Sequence, residues 1–95
     1  MDATKTKTKV KTSPLCVAIG QVIAARRAYL SRPFREFCEE AQCTQAYLYL
    51  LEAGRMNVSV NYLEQLAKPL GMTGSGILRQ AEQKIKGAAN ERQDR

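Results

Sequence analysis

From Leu15 onward, apolar side chains recur at the spacing of a helix. Val17, Ile19, Val22, Ile23 and Leu30, with Arg26 and Arg27 between them, form an amphipathic stripe of about four turns. Ser31 before Arg32-Pro33 is read as the start of a second helix, since a serine can cap open amides and proline is tolerated in the first turn. Phe34, Phe37, Cys38 and Ala41 then predict a short helix from Pro33 to Ala41. Thr44 is the next cap, with Tyr47, Leu48 and Leu51 as the inward stripe and Gly54 as the stop. This third helix, from about Thr44 to Ala53, leaves Gln45, Ala46, Tyr49, Leu50 and Ala53 on its outer side.

Ser59 caps a fourth segment carrying Val60, Leu63, Leu66 and Ala67. It closes at Pro69 and Gly71, because Pro69 has no N–H for the carbonyl of Gln65. After Thr73-Gly74-Ser75, a fifth segment carries Ile77, Leu78, Ala81 and Ile85. No stretch alternates with period two long enough for a strand, so the expected class is all-α. Residues 1–14 alternate threonine with Lys5, Lys7, Lys9 and Lys11, have almost no apolar content and end at Pro14, which reads as a flexible basic arm. The domain is expected over 15–86, and the polar stretch 87–95 is expected to be a frayed, disordered tail.

A chain of 95 residues has room for one such domain. A domain this small buries only about 60% of its unfolded surface, which argues against a large internal active site. The net charge is +6, and half of it lies on the arm, where four lysines oppose Asp2. A basic balance of this kind favours a polyanion as partner, nucleic acid ahead of an acidic protein or a membrane surface. No apolar run approaches a membrane span or a signal core, so a soluble, uncleaved, cytoplasmic protein is expected.

The three cysteines, Cys16, Cys38 and Cys43, lack C-x-x-C spacing, and the chain has no histidine. No metal site and no disulfide framework are expected; Cys38 and Cys43 read as buried thiols in a reducing compartment, with thiol sensing as the alternative. Without histidine, a glycine-rich phosphate loop or a carboxylate pair in a pocket, neither an enzyme nor a cofactor is expected. Glu36, Glu39 and Glu40 read as a solvated helix face.

Two short helices joined by a tight turn, with a helix before and two after, can present one helix to a DNA major groove about 12 Å wide. At the level of motif, the chain resembles the phage-repressor (Cro and lambda-repressor-like) helix-turn-helix family from about Ile19 to Ile85. The specific stretch is Thr44-Gln45-Ala46-Tyr47-Leu48-Tyr49-Leu50-Leu51-Glu52-Ala53-Gly54-Arg55. It is followed by Asn57-Val58-Ser59-Val60 and by Leu63-Glu64-Gln65-Leu66-Ala67-Lys68-Pro69-Leu70-Gly71. The resemblance implies a five-helix DNA-binding domain in which Thr44, Gln45, Ala46, Tyr49 and Leu50 face the groove. Arg55 and Asn57 are implied to approach phosphates, and Arg27 and Glu52 to pair between helices 1 and 3.

Side-chain chemistry gives parts of this separately. Gln45 can pair with adenine through its amide, Ala46 or Thr44 can meet a thymine methyl, and Tyr49 can donate to a phosphate or base. Lys9 and Lys11 on the arm can follow phosphates or enter a minor groove. Three departures from the family pattern stand out: Pro33-Phe34 where Ser-Gln is common, Gln42 where the turn has glycine, and Tyr49 and Leu50 where polar or basic residues are usual.

The functional expectation is a transcriptional repressor of bacterial, phage or plasmid origin that binds a short palindromic operator on double-stranded DNA. It would act as a homodimer through the apolar segment Ile77 to Ile85. An autoregulating antitoxin or restriction controller is the nearest alternative, and a protein-interaction module on the same scaffold is the alternative outside DNA binding.

Overall fold

The computed structural model describes residues 12–93 as five helices, with side chains described for residues 12–88. They are α1 (Pro14–Tyr29), α2 (Phe34–Ala41), α3 (Gln45–Glu52), α4 (Val60–Ala67), and α5 (Gly74–Gln93). A 3-10 turn, Lys68–Leu70, follows α4. The described residues contain no strand.

Short-range chemistry accounts for most boundaries. Ser13, Thr44, Ser59 and Thr73 each accept a hydrogen bond through the side-chain oxygen from an amide in the first turn, at Cys16, Tyr47, Tyr62 and Gly76 respectively. Pro14 sits at the start of α1, where its missing N–H costs nothing. At the other ends, α1, α2, α3 and the 3-10 turn all close through a residue with positive φ: Ser31, Gln42, Gly54 and Gly71. The amide after each of these reaches back across the last turn, Arg32 to Arg27, Cys43 to Cys38, Arg55 to Leu50 and Met72 to Ala67. This is the Schellman closure, which satisfies carbonyls that would otherwise be left open.

Ser31 therefore ends α1 and does not cap α2, contrary to the sequence expectation. The preceding helix claims its backbone first, and Pro33, extended at φ −60° and ψ 145°, occupies the cap position without a side-chain bond. The α4 boundary follows the proline argument: regular helix stops at Ala67 and the chain tightens through Pro69. At the C-terminal end, α5 continues to Gln93, past Gly87 where the frayed tail was expected to begin. Ala88, Ala89, Glu91, Arg92 and Gln93 favour helix, and a single glycine is a modest penalty of about 1 kcal/mol.

The core is made by Ile19, Ile23, Phe37, Leu48, Leu51, Leu66, Leu70 and Ile77, with smaller side chains at Ala18, Cys38, Ala41, Ala67 and Ala81 filling between them. Helices α1 and α5 make the most extensive helix pair, and α1 also carries α3. Ile77 and Ala81, half of the apolar set assigned from sequence to a dimer interface, are fully buried in this core. Leu78 and Ile85 are half-buried against it. Ile77 and Ala81 are thus taken up by the core of the monomer and offer no surface to a second copy.

Candidate nucleic-acid interface

Helix α3 divides cleanly into two sides. Leu48 and Leu51 are completely buried, whereas Thr44, Gln45 and Ala46 are exposed, Tyr49 is 65% exposed and Leu50 is half-buried. No other element of the described chain covers the outer side. Of the groove-facing set expected from sequence, Thr44, Gln45, Ala46 and Tyr49 are exposed to solvent and Leu50 only partly so.

The inner side is held at several points. Arg27 Nε donates to Glu52 Oε2 at 2.8 Å and Nη2 to Oε1 at 3.0 Å, a forked pair between α1 and the last residue of α3. The two side chains are only 19% and 13% exposed. The Arg27 guanidinium also donates to the carbonyl of Arg32 at 3.1 Å and lies 5.1 Å from the centre of the Phe34 ring. Its hydrogen bonds to Glu52 hold its pKa above the ordinary arginine value. The inter-helix pair that the family resemblance implied is therefore present.

Two further anchors, at Gly20 and Gln65, were not singled out in the sequence, and Tyr47 of the inward stripe supplies a third. Gly20 lies in α1 under the end of α3, so close that a Cβ there would stand 2.2 Å from the carbonyl oxygen of Leu51. Gln65 reaches from α4 to the turn between α2 and α3, its Nε2 donating to the carbonyls of Ala41 at 2.6 Å and Gln42 at 3.2 Å. Tyr47 stacks on Tyr62, ring centres 4.3 Å apart and planes 14° from parallel. Tyr47 is thus a packing residue of the α3–α4 contact, as its place near the inward stripe suggested. A glycine inside an apolar helical stripe was the available signal for Gly20; the Gln65 clamp left none.

At the far end of α3, the start of the described chain returns to the site. The Thr12 hydroxyl donates to the carbonyl of Gly54 at 2.8 Å, and Cys16 Sγ donates to Asn57 Oδ1 at 3.4 Å. With its oxygen engaged, Asn57 has its amide N–H groups left to offer a phosphate. Arg55 is exposed just beyond the left-handed turn at Gly54. Lys9 and Lys11 lie outside the described residues; in sequence they lead directly into Thr12.

Cys38 is buried beside the turn and Cys43 half-buried within it, and they are the pair that the Schellman closure of α2 brings together. Burial pushes the Cys43 thiol up to about 12 and also raises Cys38. A redox-sensing cysteine needs a thiolate near neutral pH, and burial works against one at both positions. All three cysteines are free. No group of three or more metal-ligating side chains occurs among the described residues. No described helix is long and apolar enough to cross a membrane.

Comparisons with known proteins agree with the architecture. No family model matches the chain, and no curated protein matches it. Among solved structures, one of the clp gene regulator ClgR from Corynebacterium glutamicum aligns with 83% of this chain and 84% of its own, at TM-score 0.77 and 28% identity. A second structure of the same regulator aligns with 78% of this chain and 95% of its own, at TM-score 0.69 and 30% identity. From the helical order, the helix-turn-helix geometry and this likeness across most of both molecules, the chain belongs to the same family of small all-helical helix-turn-helix proteins as the regulator ClgR.

Proposed function

We propose that this protein is a sequence-specific DNA-binding transcription regulator of the phage-repressor type, working in a bacterial cytoplasm without cofactor or metal. The observation that carries the proposal is the asymmetry of α3: its inner side is locked by Leu48, Leu51, the Arg27–Glu52 fork and the Tyr47–Tyr62 stack, while its outer side is uncovered. A rigid rod with a free polar and apolar strip suits base reading in a major groove. The likeness to a clp gene regulator supports the same reading.

In this reading Gln45, Ala46, Thr44, Tyr49 and Leu50 meet base edges. Arg55 and the amide of Asn57 bind phosphates at the end of the helix, and Lys9 and Lys11 continue the phosphate contacts from the arm. One α3 covers only a few base pairs, so the functional unit is a homodimer on a palindrome whose half-sites lie about 34 Å apart, and it represses by occluding a promoter. Because Ile77 and Ala81 are buried, the dimer would use the open side of α5 around Leu78 and Ile85.

Selection of bound duplexes from a random pool, at two ionic strengths, tests the proposal. A palindromic consensus and an affinity that falls with salt are expected, and Gln45→Ala should weaken the preferred site by about 1–3 kcal/mol at one base position. Enrichment of no sequence, or affinity indifferent to salt, would overturn the reading in favour of a protein-interaction module.

A further inference from the structure

The outer side of α3 is unusual in what it lacks. Its eight residues include one ionisable acid or base of the kind that pairs with guanine or cytosine, Glu52, and no arginine or lysine. Guanine is read chiefly by arginine or lysine donating to O6 and N7, and cytosine by a carboxylate accepting from N4. Glu52 cannot serve, because both of its oxygens are held by Arg27 at 2.8 and 3.0 Å on the side turned to α1. Arg55 and Asn57 come after the left-handed turn at Gly54, off the helix, and the Asn57 oxygen is taken by Cys16.

What remains for base edges is the Gln45 amide, the hydroxyls of Tyr49 and Thr44, which can serve any base, and a set of carbon surfaces. Gln45 carries the donor and acceptor that match adenine N7 and N6. Ala46, the half-buried Leu50 and the methyl of Thr44 can meet only an apolar group, and the thymine 5-methyl is the one such group in the major groove. The Thr44 hydroxyl oxygen accepts the capping bond from Tyr47 N–H at 3.0 Å, which leaves its O–H as a donor that does not discriminate between bases. We propose that the base pairs lying under Gln45, Ala46 and Leu50 are A·T pairs, read by Gln45 on adenine and by thymine methyl groups seated against Ala46, Leu50 and the methyl of Thr44. This rests on the DNA-binding reading above and names the class of site that α3 selects.

The test changes the DNA and leaves the protein intact. In the duplex recovered by selection, each thymine is replaced singly by deoxyuridine, which deletes only the methyl, and each adenine by 7-deazaadenine, which deletes the N7 acceptor. Binding of the full chain is followed by fluorescence anisotropy. At least one deoxyuridine should weaken binding about fourfold, the worth of one buried methyl. At least one 7-deazaadenine should weaken it by about fivefold or more, within the range for a bidentate base contact. Thr44→Ser keeps the capping oxygen and loses only a methyl, so it should abolish the deoxyuridine effect at its own position. Gln45→Ala should abolish the 7-deazaadenine effect.

Selected half-sites with G·C pairs under Gln45, Ala46 and Leu50, or tolerance of deoxyuridine at every position, would overturn this inference and leave DNA binding intact. Failure to enrich any duplex would overturn both.

Discussion

Replacing Gly20 by alanine tests how α3 is seated. The added Cβ would stand 2.2 Å from the carbonyl oxygen of Leu51 and 3.2 Å from that of Glu52, where ordinary contact begins near 3.4 Å. Both obstacles are backbone atoms of α3, so no side chain can swing aside, and α1 and α3 must separate by about 1 Å in a close-packed interior. Overpacking of this kind costs about 1–3 kcal/mol, and the backbone contact puts it at or beyond the upper end. Alanine recovers about 1 kcal/mol of helix propensity. The net expectation is a loss of about 2 kcal/mol, a fall in Tm of roughly 10 °C for a domain this size.

Gly87→Ala in α5 is the matched control, because a Cβ there meets nothing within 4 Å. It should gain up to about 1 kcal/mol from the same propensity term. Thermal and urea unfolding followed by circular dichroism measure both. If Gly20→Ala proves as stable as Gly87→Ala, the close crossing of α1 and α3 is wrong. The DNA affinity of the folded Gly20→Ala protein should also fall, since the displaced carbonyls belong to the end of the proposed reading helix.

Three other outcomes are expected. Ser31→Gly and Gln42→Gly should each stabilise the fold by about 0.5–1 kcal/mol, because relief of a left-handed side chain outweighs the added freedom of the unfolded chain; unchanged melting would refute the turn geometry. Glu52→Ala should cost about 2 kcal/mol by stranding a largely buried guanidinium, and Arg27→Lys should fail to replace the fork; a loss under about 0.5 kcal/mol in urea unfolding would show the pair to be ornamental. The Cys43 thiol rises from the unfolded value of 9.0 to about 12, so the folded state keeps this proton longer than the unfolded chain does. Its stabilisation is complete below pH 9 and is lost as pH climbs from 9 toward 12. Cys38, Tyr47 and Tyr62 shift the same way through burial. Tm should therefore drop on that alkaline limb, less steeply in Cys43→Ala; equal slopes in the two proteins would contradict the assignment.

The features legible from the sequence are those decided within a few residues along the chain. Thr44 and Ser59 cap the helices they were expected to cap, Pro69 ends regular helix where its absent N–H demands, and the outward set of α3 follows from where Leu48 and Leu51 must go. Ser31 shows the limit of that reasoning: two adjacent helices compete for one serine, and the closure of α1 takes it. The resemblance brought the Arg27–Glu52 pair, which spacing alone does not indicate.

What tertiary structure decided involves partners distant in sequence. The Gln65 clamp on the turn spans 24 positions, and the Thr12 and Cys16 contacts at the end of α3 span 42 and 41. Whether Ile77 and Ala81 serve an interface or the core depends on which helices lie across α5, and α1 and α4 pack on it. Periodicity identifies which side of a helix seeks cover, because that is a property of one segment. It does not say which other segment supplies the cover or how closely, as at Gly20, because that depends on how all five helices share one small core.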